Sequence, residues 1–224
     1  MDRLISAGIF GMINTGAGYI LGIIFCAVIS YIIGSVNFTR RTAERVGAFP
    51  DTTGIIQKVG AGEALGACLC DMIKGAVCAF LGIILMPGDG YAGVCALFCL
   101  VGQAFPIFSR FKGGGGGAAL LGAALVINPL MAFACALIGF AMYAVSGFIP
   151  LGTVSFAAIF PFLARRLPLW RFEAEETKIS LLNLFLENLT PIALAIAILL
   201  IYASSIGRMI SGDEPRIPLK KKKI

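Results

Sequence analysis

Apolar residues run through this chain in long blocks, several of them without a charge, separated by short clusters of glycine, proline and charge. A helix needs about 20 apolar residues to cross the hydrocarbon core of a bilayer, and several blocks reach or approach that length. The pattern predicts membrane helices over residues 16–34, 64–86, 91–108, 117–145 and 149–164. The first block, residues 4–34, is longer than one span and much longer than the core of a signal peptide, with no small-residue cleavage site ahead of a soluble domain. It is expected to stay attached, with residues 4–14 along the interface and 16–34 crossing. The last block, residues 179–206, contains Pro191.

Charge orients these helices. The connection with Arg40, Arg41, Arg45 and Lys58 is basic, as are Arg110 with Lys112 and the run Arg165, Arg166, Arg171, Lys178, whereas the turns at 87–90 and 146–148 carry no Lys or Arg. The positive-inside rule puts the basic loops in the cytoplasm and the N-terminus outside. The tail ends in Lys220, Lys221, Lys222 and Lys223, which read as a surface anchor and belong on the cytoplasmic side too. One span over 179–206 would carry them outside, so the block is expected to cross twice, as short helices over 179–190 and 192–206 divided at Pro191. The expected fold is an all-α integral membrane protein of about seven transmembrane helices, N-terminus outside and C-terminus cytoplasmic. The expected organisation is an interfacial segment over 1–15, one polytopic domain over 16–210 and a basic cytoplasmic tail over 211–224.

Composition agrees and narrows the chemistry. Of 224 residues, 58% are hydrophobic and 13% charged, with a mean hydropathy of +0.93, far from the roughly one-quarter charged mix of a soluble domain. The chain has no histidine, which removes the usual neutral-pH general base. Its seven cysteines lie in apolar runs without a CxxC pair, reading as packing residues, and no metal site or nucleic-acid partner is expected.

Four features rise above this background, all on the expected cytoplasmic side. Gly113 to Gly117 follow Lys112 directly and precede an apolar helix, so their amides can cradle a phosphate beside a lysine charge; a flexible connection is the equal alternative. Asp71 and Lys74, three apart near the start of a membrane helix, read as a structural ion pair. Gly34-Ser35 reads as a packing pair or as a catalytic hydroxyl. Arg40, Arg41 and Arg45 can fork a phosphate or act as orientation signals.

In order, these pieces resemble the bacterial acyl-phosphate:glycerol-3-phosphate acyltransferases of the PlsY type. The segment Gly102-Gln103-Ala-Phe105-Pro106-Ile-Phe108 with Phe111-Lys112-Gly113-Gly114-Gly115-Gly116 is similar to the family's GHxFPxF and FKGGKG. Asp71-Met-Ile-Lys74-Gly75 resembles DVLKG, Ser146-Gly147-Phe148 with Leu151-Gly152 resembles SGYxSLG, and Ile206-Gly-Arg208 with Gly212-Asp-Glu-Pro-Arg216-Ile217 resembles NIxRLxxGxEPKI. Gly34-Ser35 and Arg45 stand at the first motif. Only Asp51-Thr52-Thr53-Gly54 remains of the glycine-rich second motif. Gln103 replaces the histidine of GHxFP, Gly115 the lysine of GGKG, and Tyr202 and Ser205 the C-terminal His and Asn.

The resemblance implies a seven-helix enzyme of the bacterial cell membrane, its site facing the cytoplasm. It would move a fatty acyl group from acyl phosphate to glycerol 3-phosphate in phospholipid synthesis, without an acyl-enzyme, metal or cofactor. It assigns catalysis to Ser35, Arg45 and Lys112 and phosphate binding to Thr53, Gly113, Gly114, Gly115 and Gly116, with Gln103, Tyr202 and Ser205 replacing absent groups. A catalytically inactive relative that binds lipid or a regulatory partner is the alternative these replacements allow.

Overall fold

The computed structural model describes residues 16–85, 89–111, 113–166 and 181–212, and among them every regular element is helical. In chain order these are α1 (Gly16–Gly34), α2 (Phe38–Val46), α3 (Thr52–Val59), α4 (Ala61–Leu85) and α5 (Asp89–Ala104). After a 3₁₀ turn (Ile107–Ser109) come α6 (Gly117–Ile127), α7 (Pro129–Ser146), α8 (Ile149–Arg166) and α9 (Leu181–Ser211). Five spans are long and apolar enough to cross a membrane, and α6 and α8 supply two shorter apolar helices, seven in all among the described residues. The protein is a polytopic integral membrane protein. Exposed Ile20, Phe25, Phe80, Phe133 and Ile196 present their side chains outward, as a lipid-facing surface requires.

The helices approach closely wherever glycine faces backbone. A Cβ on Gly34 would strike the Cys99 carbonyl, on Gly75 the Ala119 carbonyl and on Gly122 the Met72 carbonyl. Small-residue packing of this kind is how helices associate in lipid, where apolar burial supplies no drive. The core between α4, α5, α6, α8 and α9 is accordingly built from Ala79, Ala92, Ala96, Ala119, Ala123, Ala124 and Ala157, filled by Leu120, Phe156, Leu194 and Ile198. Cys26, Cys78, Cys95, Cys99 and Cys135 are buried in these contacts.

The helix count matches the expectation, but the chain reaches it differently. The block at 117–145 is two helices rather than one. Asn128, extended at φ −156°, caps α7 by accepting from the Met131 amide at 3.1 Å, and Pro129 takes the first helical position. A residue before proline is pushed out of the α region, so the chain must turn there. Conversely, residues 181–211 form one continuous helix with Pro191 inside it, so the expected division at Pro191 does not occur.

The two differences reverse what lies between them. Thr153 of α8 meets Gly117 at the start of α6, and Ile149 and Pro150 lie with Gly113 to Gly115. The 146–148 turn therefore shares an end of the bundle with the glycine loop, not the opposite end. Thr190 of α9 meets Gly93 near the start of α5, at the far end, while Tyr202 meets Gly115. Arg166 closes α8 at that far end, so the run beginning at Arg165 and Arg166 is separated from the glycine loop by the bundle's length. Arg171, Lys178, residues 1–15 and the Lys220 to Lys223 tail lie outside the described residues.

Candidate functional site

At one end of the bundle the chain between α1 and α2 is held by a buried ion pair. Lys74 Nζ lies 2.9 Å from Asp71 Oδ1, with the two side chains 4% and 0% exposed. Lys74 also donates to the carbonyls of Gly34 at 3.2 Å and Val36 at 2.7 Å, the open acceptors at the C-terminal end of α1. Asp71 accepts from the amides of Phe38 at 3.1 Å and Thr39 at 3.0 Å, and from the Thr39 hydroxyl at 2.6 Å. Each charge thus satisfies the helix end whose dipole it complements, so the pair is structural, as its spacing suggested.

This staple fixes Asn37, which caps α2 by accepting from the Arg40 amide at 2.8 Å. Its Nδ2 reaches the Gln103 carbonyl at 3.4 Å. Arg40 in turn donates to the Gly113 carbonyl at 3.1 Å. The glycine loop is therefore held from behind by the α1–α2 turn and the end of α5.

The glycines serve close approach rather than unusual torsion. Positive φ falls instead on Arg110 (50°) and Phe111 (58°), which turn the chain into the loop, and not on Gly113 to Gly116. A Cβ on Gly113 would strike the Ala104 carbonyl, and on Gly115 it would strike the Tyr202 hydroxyl. That hydroxyl also lies within hydrogen-bonding reach of Thr153 and the Gly117 backbone.

In front of the loop is a cavity of about 440 Å³. Its polar wall comprises Asp51, Thr52 and Thr53 at the start of α3, the loop itself, and Tyr202, Ser204, Ser205 and Arg208 of α9. Its apolar wall comprises Val101, Phe105, Ile149, Ala197, Leu200 and Ile201. Asp51 caps α3 by accepting from the Gly54 amide at 2.6 Å. Arg208 donates to Ser204 and Ser205, each at 3.0 Å, and its guanidinium carbon stands 4.9 Å above the centre of the Phe49 ring. A cation, hydroxyls, the Asp51 carboxylate and the glycine loop thus line a chamber with one oily side, room for a polar headgroup carrying an acyl chain.

Thr53, Gly113, Gly114, Gly115, Tyr202 and Ser205 are brought together on this cavity. Gly116 is buried just behind, beside Leu100 and Ile198. Gln103 is fully buried and donates from Nε2 to the Gly115 carbonyl at 3.0 Å, supporting the loop without lining the cavity. Ser35 is also buried, its hydroxyl donating to the Tyr31 carbonyl at 2.8 Å. Arg45 is exposed in a separate recess with Thr42, Glu63 and Cys70. Lys112 lies outside the described residues. Arg208 was missed as a site residue; its signal was the spacing Tyr202, Ser205, Arg208, which puts three polar groups on one face of an otherwise apolar helix.

The sequence matches the family described as glycerol-3-phosphate acyltransferase over residues 12–212. Curated relatives of that name include one from Vibrio campbellii, 29% identical over 211 residues with 94% of each chain covered. Another, from Halalkalibacterium halodurans, is 27% identical over 203 residues, covering 86% of this chain and 94% of the relative. Among solved structures, the crystal structure of PlsY, an integral membrane glycerol 3-phosphate acyltransferase, in its glycerol 3-phosphate form, superposes with a TM-score of 0.69. That match is 18% identical and covers 87% of this chain and 95% of PlsY, which establishes a shared fold. With the family matched from before α1 to the end of α9, this chain belongs to the glycerol-3-phosphate acyltransferase family.

Proposed function

We propose that the chain transfers a fatty acyl group from acyl phosphate to glycerol 3-phosphate, giving lysophosphatidate for phospholipid synthesis, at the cavity between the glycine loop and α9. Family membership supports acyl transfer to glycerol 3-phosphate. The observation that carries the assignment to this cavity is the convergence of Arg208, Ser205, Tyr202, Thr53 and the glycine loop opposite an apolar wall. In this reading a glycerol hydroxyl attacks the acyl carbon, the new ester C–O bond forms, and the C–O bond to phosphate breaks. Phosphate leaves with the electron pair and takes the hydroxyl proton as the bond breaks, departing as the hydrogen phosphate dianion. A mixed anhydride is already activated, so holding the two phosphates and neutralising charge on the leaving group supplies most of what the protein must add. A reaction whose leaving group is itself a base fits a chain without histidine.

Arg208, Thr53 and Gly113 to Gly116 bind phosphate in this reading, with Lys112 beside the loop, while Tyr202 and Ser205 complete the polar wall. Ser35 acts by holding the turn after α1, and Arg45, outside the cavity, draws anionic substrate toward this end. The membrane orientation follows the same charge logic as before: Arg40, Arg41, Arg45, Lys58, Arg110 and Arg208 gather at the cavity end, which is therefore cytoplasmic, with the N-terminus outside and the tail inside. Residues 16–210 act as one membrane domain in the cell membrane.

The test is full-length protein in nanodiscs with palmitoyl phosphate and labelled glycerol 3-phosphate, beside Arg208→Ala and Ser35→Ala. Lysophosphatidate formation that falls at least tenfold in Arg208→Ala is expected. Wild-type turnover no greater than that of a protein-free control refutes the activity.

A further inference from the structure

The phosphate role of the glycine loop depends on which way its peptides face, and the side chains behind it decide that. Arg40 donates from a terminal guanidinium nitrogen to the Gly113 carbonyl at 3.1 Å, while its Nε is tied to Glu44 Oε1 at 2.6 Å. Gln103 donates from Nε2 to the Gly115 carbonyl at 3.0 Å. The Gln103 amide has one workable orientation, because exchanging its nitrogen and oxygen would set two acceptors against each other at Gly115. Its Oε1 is buried and has no partner among the described residues, so the amide is kept in place for the single bond that Nε2 makes.

In a planar trans peptide the N–H points opposite to the C=O of the preceding residue. A Gly113 carbonyl pulled toward Arg40 therefore turns the Gly114 N–H the other way, and a Gly115 carbonyl pulled toward Gln103 does the same to the Gly116 N–H. Neither Arg40 nor Gln103 lines the cavity, whereas Gly113, Gly114 and Gly115 do. The side away from the two clamps is thus the cavity side.

We infer that Arg40 and Gln103 are positioning residues that lock alternate peptides of the glycine loop with their carbonyls outward, so that the Gly114 amide is presented to a phosphate oxygen in the cavity and the Gly116 amide, just behind the lining, is held in the same sense to complete the donor pair. The clamps touch no substrate. They act by preventing the peptide flips that would aim carbonyls at an anion, which is the electrostatic preorganisation a phosphate site requires. The inference rests on the acyltransferase reading for its substrate and on the loop geometry for its mechanism.

The experiment compares wild type, Gln103→Leu, Gln103→His, Arg40→Met and Arg40→Lys as full-length protein in nanodiscs. Binding of inorganic phosphate is followed by 31P NMR line broadening and by its protection against thermal unfolding. Steady-state constants are measured with palmitoyl phosphate and with glycerol 3-phosphate varied in turn. Gln103→Leu and Arg40→Met are expected to weaken inorganic phosphate binding roughly tenfold and to lower kcat/KM by a similar factor. Gln103→His, whose ring N–H can replace the lost donor, and Arg40→Lys are expected to recover most of the loss. A rise in KM confined to glycerol 3-phosphate assigns the amide pair to that phosphate; a fall in kcat with the KM values held assigns it to the leaving phosphate. Undiminished phosphate binding in a folded Gln103→Leu or Arg40→Met protein overturns the inference, as does Gln103→His behaving no better than Gln103→Leu. Should Gln103→Leu fail to fold, Arg40→Met against Arg40→Lys decides the matter alone. Wild type that binds phosphate but forms no lysophosphatidate refutes the acyltransferase reading and leaves the binding comparison decisive for the clamps.

Discussion

Lys74→Met tests the role given to the buried ion pair. Lysine at 74 is 4% exposed and uses its three donors on Asp71, Gly34 and Val36. Methionine fills much the same volume and makes none of these bonds. The substitution leaves the fully buried Asp71 carboxylate with its three donors from Phe38 and Thr39 but no counter-charge, and two carbonyls at the end of α1 lose their partner. Removing one member of a buried pair costs about 3–5 kcal/mol, most of it the desolvation of the orphaned charge. At roughly 2–4 °C per kcal/mol for a chain of this size, the midpoint should fall by about 6–20 °C. Asp71→Asn/Lys74→Met removes the orphaned charge as well, so the double variant should be more stable than Lys74→Met alone, a favourable coupling that only contacting residues show. Thermal unfolding of all four proteins in one detergent measures the cycle. Activity should fall with stability, because the same turn carries Asn37 and Arg40 to the glycine loop. A Lys74→Met protein within about 1 kcal/mol of wild type, or a double variant as damaged as the two singles combined, would refute the reasoning.

Three further outcomes follow from the geometry. Gly115→Ala should lower kcat/KM by displacing the Tyr202 hydroxyl, and Tyr202→Ser should recover part of that loss in the double variant, measured by steady-state kinetics. Gly122→Ala, which drives a methyl group into the Met72 carbonyl, should destabilise the protein by about 1–3 kcal/mol in thermal unfolding, with α4 and α6 forced apart. In a background lacking the native cysteines, Ser109→Cys should label from the side opposite to Arg171→Cys with a membrane-impermeant maleimide; labelling of both from one side contradicts the helix order.

Much of the bundle was legible because a membrane leaves few alternatives. Apolar blocks of span length with few charges must be helices, and α1, α4 and α5 fall close to the predicted blocks. What hydropathy could not see was the break at Asn128, since Asn-Pro costs little in a sliding average but decides the backbone locally. Pro191 misled in the opposite direction. Neighbouring helices and local adjustment keep a proline inside a membrane helix, and α9 runs straight through it. The site was legible in its glycine loop, Tyr202 and Ser205, which local sequence marks. It was less legible in Arg208, whose one signal is its spacing from Tyr202 and Ser205, and not in the Arg40 and Gln103 clamps, whose partners are 73 and 12 residues away.

The two helix errors cancelled in number, and the reason bears on how charge orients this protein. Joining α6 with α7 removed one crossing, and splitting α9 added one, so parity survived and α9 still ends on the glycine-loop side. Between the errors the inferred sides were inverted, which put the Arg165 and Arg166 run with the other basic loops when it closes α8 at the far end. In the bundle as built, the cavity end keeps Arg40, Arg41, Arg45, Lys58, Arg110 and Arg208. Part of that excess also has a local role: Arg40 donates to the Gly113 carbonyl and Arg208 stands in the cavity wall. In a membrane enzyme of anionic substrates, the residues that bind phosphate and the residues that fix topology fall on the same end for independent physical reasons. Positive charge there locates the site more securely than it locates any single loop.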